Sequence, residues 1–126
     1  MIGAGAPTGV PPKIARSVEL SEYQRLSRRT ATYPRAAAAL TYPVLGLTGE
    51  AGEVAEHAKK AIRDDGGELT PERRAAMGKE LGDVLWYLAQ VATELDLDLD
   101  EIAQGNLEKL LSRQRRGVLC GSGDER

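Results

Sequence analysis

The 126-residue chain is 41% hydrophobic and 29% charged, a size and composition typical of one domain with its own hydrophobic core. Its 17 basic and 19 acidic side chains leave a net charge of −2, so the molecule as a whole does not attract nucleic acid or an anionic membrane. No apolar run is long enough to span a membrane, and the first residues lack the pattern of a signal peptide. These features predict a cytoplasmic protein that binds neither a membrane nor nucleic acid.

Reactive side chains other than carboxylates are scarce. The chain has one cysteine, Cys120, and one histidine, His57, which excludes an intrachain disulfide and a zinc site built from these residue types. It has no Phe, one Trp and four Tyr, and a core rich in Ala and Leu suits closely packed helices better than sheets. The composition therefore predicts an all-α protein whose chemistry depends on carboxylates.

The two ends of the chain differ in composition from its middle. Residues 1–17 and 117–126 are rich in glycine or proline and poor in large apolar side chains, which predicts flexible tails around a domain at 18–116.

The first helix is predicted near 21–31. Ser21 and Gln24 have the spacing of a capping box at its start, and Pro34 follows its end. The segment 33–42 is ambiguous between a loop and an Ala-rich turn. This part of the chain also contains a group of arginines, Arg25, Arg28, Arg29 and Arg35. A solvated helix face is the favoured interpretation of this group, and the alternatives are a position near substrate phosphates or near the acidic groove of a neighbouring subunit.

Two long amphipathic helices are predicted next. Pro43 lies in the first turn of one, which runs to Ile62 and is ended by Asp64-Asp65-Gly66-Gly67. Thr70 is the N-cap and Pro71 the first residue of the other, which extends to about residue 95. The apolar stripe of this second helix contains Met77, Leu81, Val84, Leu85, Leu88, Val91, Ala92 and Leu95. The short glycine turn between the two helices predicts antiparallel neighbours.

The last element is less clear. Residues 95–100 alternate leucine and aspartate as a strand does, but Asp98 and Glu101 form an N-terminal capping pattern, which favours a helix through Leu111. The predicted architecture is thus a bundle of four to five helices with antiparallel central helices.

A short acidic motif occurs once in each long helix. Glu50 and Glu53 are separated by the same spacing as Glu80 and Asp83, and a glycine lies inside each pair. At about 100° per residue, both pairs lie on the same flank of their helices' apolar stripes. One flank of each antiparallel helix can face a shared groove, so the four carboxylates could converge.

Converging carboxylates repel one another, and a divalent cation removes that cost. Oxygen ligands without His or Cys suit Mg²⁺, with Mn²⁺ as an alternative, and these ions commonly take further ligands from substrate phosphates. His57, Lys60 and Tyr87 share the acidic flanks, and a cation beside an aromatic ring suits a phosphate and a flat base. For His57 itself, a surface or packing role is favoured over metal ligation.

The segments Gly46–Glu56, Lys79–Tyr87 and Asn106–Leu110 resemble the MazG-like all-α nucleoside triphosphate pyrophosphohydrolases. The resemblance covers about residues 23–113 and implies Mg²⁺ binding by the four acids, cleavage between the α and β phosphates, and a homodimer or a dimer of dimers. It also implies substrate contacts by Tyr87, Asn106 and Lys109. Many relatives have a further acid where this chain has Gly49, and cytosine-directed relatives tend to have an aromatic residue where it has Lys60.

The expected reaction is attack of water on the α-phosphorus of a nucleoside triphosphate, in nucleotide-pool house-cleaning. Glu53 or Glu56 is the expected catalytic carboxylate that orients or deprotonates the water. A di-iron bundle needs Glu-x-x-His twice and is disfavoured by the single histidine. The remaining alternative is a non-catalytic helical dimerisation or regulatory module whose acids are surface charges.

A second apolar face on the second long helix also predicts self-association. Gly82, Trp86 and Ala89 lie opposite the Met77 stripe, and a helix that is apolar on two sides must be buried on two sides. Another copy of the chain is the expected cover for Trp86, with the first or last helix of the same chain as the alternative.

Overall fold

The structure, a computed structural model, describes residues 9, 13–34 and 38–126. Within these ranges the chain is all-helical and has no strand, which confirms the predicted fold class. The helices are α1 (Leu20–Ser27), α2 (Thr41–Asp64), α3 (Pro71–Glu94) and α4 (Leu99–Arg115), with a short 3₁₀ helix at Arg28–Thr30. None of the helices in these ranges is long and apolar enough to cross a membrane.

Helices α2 and α3 form the most extensive helix pair of the fold. The turn between them is made by Gly66 and Gly67, whose φ angles of 65° and 84° lie in the left-handed region that glycine adopts without strain. As predicted, α3 begins at Pro71, and the side chain of Thr70 caps it by accepting a hydrogen bond from the Arg73 amide at 3.2 Å.

The start of α1 differs from the prediction. Glu19 is the N-cap residue and makes no side-chain cap, so the capping box at Ser21 and Gln24 is wrong. The Ser21 hydroxyl instead donates to Asp100 at the start of α4. Gln24 reaches the same end of the molecule, where its side-chain amide donates to the Leu97 carbonyl at 2.8 Å. Both side chains have partners far away in sequence, and these contacts replace the local cap.

The helical interpretation of the last element is confirmed. The Asp98 carboxylate accepts hydrogen bonds from the Asp100 and Glu101 amides at 2.8 and 3.2 Å, which caps α4. Leu99 is buried just after this cap, packed with Ala89 and Ala92 of α3. Leu20 and Tyr23 of α1 pack against this cluster, which places the core where α1, α3 and α4 meet.

The chain after α4 turns back onto that helix. The Asp124 carboxylate lies 3.0 Å from Lys109 Nζ and 2.9 Å from Arg113 Nη2, and Arg113 is buried. The flexibility of 117–126 stays a prediction, as does that of 1–17, of which residues 1–8 and 10–12 lie outside the described residues.

The surroundings of Trp86 bear on how its face of α3 is covered. Its indole nitrogen donates to Thr30 Oγ1 at 2.8 Å, and its ring contacts the Tyr33 ring edge-on at a centroid distance of 6.3 Å. The segment that follows α1 in the same chain therefore contacts Trp86, which is partly buried, and cover by another copy stays a prediction. Leu81 and Leu88, which the stripe predicted to be core residues, are instead exposed by 55% and 40%.

Candidate metal centre

Three of the four predicted ligands come together between α2 and α3. Glu50, Glu80 and Asp83 each offer a carboxylate oxygen, and these three oxygens lie within 4.8 Å of one another. Glu50 and Glu80 are partly buried, whereas Asp83 is exposed. We call these three residues the acidic cluster.

The antiparallel register of the two helices produces this convergence. Glu50 of α2 lies close to Asp83 of α3. One turn before Glu50, Gly46 lies against the ring of Tyr87, which is one turn after Asp83. Because the chain rises along α2 and returns along α3, equal steps in opposite directions keep the two acidic motifs side by side.

The electrostatics of the acidic cluster fit a bound cation. Burial raises the pKa of the Glu50 carboxyl above its usual value, and the charges of Asp83 and Glu80 raise it further. Carboxylates this close together repel one another when no cation neutralises them. Three carboxylates with no thiolate among them are a donor set for a hard divalent ion such as Mg²⁺.

This repulsion gives the stability of the metal-free protein a pH dependence. Because its folded-state pKa is raised, Glu50 adds stability that is fully present below its ordinary pKa of 4.5 and is lost as the pH rises through the raised value. Mg²⁺ binds the ionised carboxylates, so it should raise the melting temperature more at neutral than at acidic pH. Melting curves across this pH range, with EDTA or excess Mg²⁺, measure both effects. An equal Mg²⁺ shift at both pH values, or an unchanged shift in Glu50→Gln, contradicts this assignment.

The fourth predicted ligand, Glu53, is not one of these three carboxylates. It is exposed on α2, one turn after Glu50.

The other predicted catalytic carboxylate, Glu56, lies 2.7 Å from Lys59 Nζ and 3.6 Å from Lys60 Nζ. The hydrogen bond from Lys59 is the main cause that lowers the pKa of Glu56. Lys60, expected to contact substrate, is thus engaged by a neighbouring carboxylate on its own helix.

His57 lies beside the acidic cluster. Its Nε2 is 3.6 Å from the Glu80 carboxylate, and its Nδ1 is buried without a hydrogen-bond partner among residues 9, 13–34 and 38–126. This contact joins α2 to a cluster carboxylate of α3, which the prediction of a surface or packing role did not include.

Tyr87 connects the acidic cluster to a group of aromatic rings. Its ring contacts that of Trp86 edge-on at 5.0 Å. Trp86 also contacts Tyr33 edge-on, and Tyr33 stacks on Tyr42 with the ring centroids 5.1 Å apart. Burial raises the pKa of the Tyr87 phenol, and the nearby Tyr42, Glu50 and Asp83 raise it further. We call Tyr33, Tyr42, Trp86 and Tyr87 the aromatic cluster.

The two predicted substrate residues of α4 lie in different surroundings. Asn106 is exposed, and Lys109 pairs with Asp124 of the C-terminal segment. Among the described helices, α4 packs mainly against α1. The chain thus brings Tyr87 to the acidic cluster, whereas Lys109 is engaged with the C-terminal segment.

One arginine of the predicted solvated face, Arg28, belongs to a partly buried network. Arg28 Nη2 lies 2.8 Å from the Glu94 carboxylate of α3, and Arg28 Nη1 donates to the Tyr33 hydroxyl at 2.8 Å. The Tyr33 hydroxyl in turn donates to Glu94 at 2.5 Å. No sequence pattern singles out Arg28 among its neighbours, because its partners are more than sixty positions away or in a loop. Arg35 lies outside the described residues.

These features define an all-α protein in which carboxylates of two antiparallel helices lie close enough together to hold a metal ion. Residues 41–118 match the MazG nucleotide pyrophosphohydrolase domain. The Gene 37 protein of Mycobacterium phage L5 is 49% identical over 109 residues, which cover 82% of this chain and 96% of the phage protein. The chain therefore belongs to the MazG family, and this membership supports a nucleotide pyrophosphohydrolase that uses a divalent metal. No solved structure is significantly similar to it.

Proposed function

We propose that the protein hydrolyses nucleoside triphosphates to the monophosphate and pyrophosphate in a Mg²⁺-dependent reaction, and that it serves nucleotide-pool house-cleaning. The observation that carries this proposal is the convergence of Glu50, Glu80 and Asp83 within a matched pyrophosphohydrolase domain. Deoxynucleotides and noncanonical nucleotides are included among the substrates.

The proposed roles follow from the chemistry of the side chains. Glu50, Glu80 and Asp83 hold the cation, with Glu53 as a further ligand. The bound cation supplies charge neutralisation at the phosphates and at the leaving pyrophosphate. Tyr87 offers an aromatic surface to the base, and Asn106 and Lys109 contact the substrate.

Glu53 is our preferred residue for orienting the water that attacks the α-phosphorus. It is an exposed carboxylate one turn from Glu50. Glu56 is the weaker base, since Lys59 lowers its pKa and so favours its ionised, unprotonated form. Lys60 remains available to substrate phosphates only if its pair with Glu56 opens.

A screen of pyrophosphate release tests the function. Canonical, deoxy and modified nucleoside triphosphates are incubated with the protein and Mg²⁺, with EDTA and Asp83→Ala as controls. We expect monophosphate and pyrophosphate in equal amounts from at least one substrate, and neither product in the two controls. Release of inorganic phosphate instead of pyrophosphate, or undiminished turnover by Asp83→Ala, would refute the proposal. A non-catalytic helical module would release no product and would not be stabilised by Mg²⁺.

We also propose that the protein forms a homodimer or a dimer of dimers. Leu81 and Leu88 of α3 and Leu107 of α4 are exposed by 55%, 40% and 58%, and large apolar side chains exposed on helix surfaces favour association. Light scattering at micromolar concentration measures the mass, and the mass of a single chain would exclude the assembly.

A further inference from the structure

Gly46 makes room for the ring of Tyr87. A Cβ atom built at Gly46 would overlap the Tyr87 ring, with Cδ1 at 2.5 Å, although real Cβ contacts essentially never fall below 3.0 Å. The ring therefore stands directly against the backbone of α2. Any side chain at position 46 would push it away.

This use of a missing side chain is specific to Gly46. A Cβ built at Gly49 or Gly52 of the same helix, or at Gly78 or Gly82 of α3, would meet no atom of the described residues within 4 Å. Glycine in a helix interior costs roughly 0.5–1 kcal/mol relative to alanine. At Gly46 the close approach of the Tyr87 ring explains why glycine is present despite this cost.

The contact lies next to the acidic cluster. Gly46 precedes Glu50 by one turn of α2, and Tyr87 follows Asp83 by one turn of α3. The Tyr87 ring also packs edge-on against Trp86, whose indole nitrogen donates a hydrogen bond to Thr30. The ring thus has the α2 backbone and Trp86 as neighbours, and displacement from α2 must also change its packing with Trp86.

We propose that Gly46 is a positioning residue, which acts through Tyr87 by letting that ring stand beside Glu50 and Asp83 and so sets one side of the nucleotide site. The effect on substrate rests on the proposed function. The effect on the Tyr87 ring does not.

The position of the Tyr87 ring can be tested spectroscopically, without an activity assay. Trp86 is the single tryptophan of the chain, so its fluorescence and the near-UV circular dichroism report on its packing with Tyr87. We expect Gly46→Ala to change both signals. The matched control Gly78→Ala, also inside a long helix but with open space around it, should leave both signals unchanged and raise the melting temperature by a few degrees.

A double variant shows whether Gly46 acts through Tyr87. Tyr87→Leu removes the ring, so adding Gly46→Ala to Tyr87→Leu should produce no further change in the Trp86 signals. If Gly46→Ala alone does not fold, recovery of folding in the double variant supports the same conclusion. Unchanged signals in Gly46→Ala, or a double variant whose changes are the sum of the two single ones, would overturn the proposal.

Kinetics test the consequence for substrate. Gly46→Ala should raise KM by about 10-fold or more, with a smaller change in kcat and with the Mg²⁺-induced rise in melting temperature retained. Tyr87→Leu should have a similar effect, and the double variant should be no worse than Tyr87→Leu. An unchanged KM in Gly46→Ala refutes the role in substrate positioning. If the wild-type protein releases no pyrophosphate, the proposed function fails, while the Trp86 signals still decide whether Gly46 positions Tyr87.

Discussion

Glu80→Gln should lower kcat/KM for Mg²⁺-dependent pyrophosphate release by at least about 100-fold. The substitution keeps the shape of the side chain but removes one of the three charges that lie within 4.8 Å of one another. Two remaining carboxylates hold a divalent cation more weakly, and the charge on the substrate phosphates is then neutralised less well. Steady-state kinetics over a Mg²⁺ series measures both the loss of activity and the weaker metal binding.

The thermal stability of metal-free Glu80→Gln should not fall together with its activity. Because Glu80 is one of the charges that raise the pKa of Glu50, its removal relieves repulsion in the metal-free protein. The melting temperature in EDTA should therefore stay the same or rise. Glu72→Gln is the matched control, since Glu72 is an exposed acid in the first turn of the same helix. Undiminished activity in Glu80→Gln, or equal losses in both variants, would contradict the metal assignment.

Arg28→Ala should destabilise the protein strongly, costing about 3 kcal/mol of the free energy of unfolding. The Arg28 and Glu94 side chains are exposed by only 23% and 13%. Removal of the guanidinium takes the ion-pair partner from the Glu94 carboxylate, to which Tyr33 still donates, and takes one hydrogen-bond partner from the Tyr33 hydroxyl. Urea denaturation monitored by circular dichroism measures the loss.

Arg25→Ala provides the comparison for Arg28→Ala. The Arg25 side chain is 70% exposed and lies 3.9 Å from Glu22, an ion pair between exposed groups. Such pairs contribute at most about 1 kcal/mol, so this variant should unfold close to the wild-type midpoint. Equal losses of unfolding free energy in the two variants would mean that the contacts of Arg28 with Glu94 and Tyr33 contribute no more to stability than an exposed ion pair does.

The features that the sequence predicted well are those encoded over short distances. Thr70 and Pro71 start α3 through neighbouring residues, and the apolar period and the glycine turn establish the antiparallel pair. The acidic motifs repeat within this pair, so helix geometry alone brings Glu50 close to Asp83.

The features that the sequence did not predict depend on distant partners. Ser21 has the spacing of a cap, but Asp100 offers its hydroxyl a partner on another helix. Arg28 is one of several arginines, and only the folded chain shows that Glu94 reaches it. Gly46 differs from the other helical glycines through the ring of Tyr87, which lies forty-one positions further along the chain.

The connectivity of the four helices has a consequence for folding kinetics. The pair α2–α3 is continuous in sequence, whereas α1 and α4 meet through contacts such as Gln24 with Leu99 across seventy-five positions. Closing a long loop costs more chain entropy than closing a short turn. The hairpin that contains the acidic cluster should therefore form before the two ends of the domain join. For the same reason, backbone amides of α1 should exchange with solvent through local opening reactions that cost less free energy than those that expose the amides of α3.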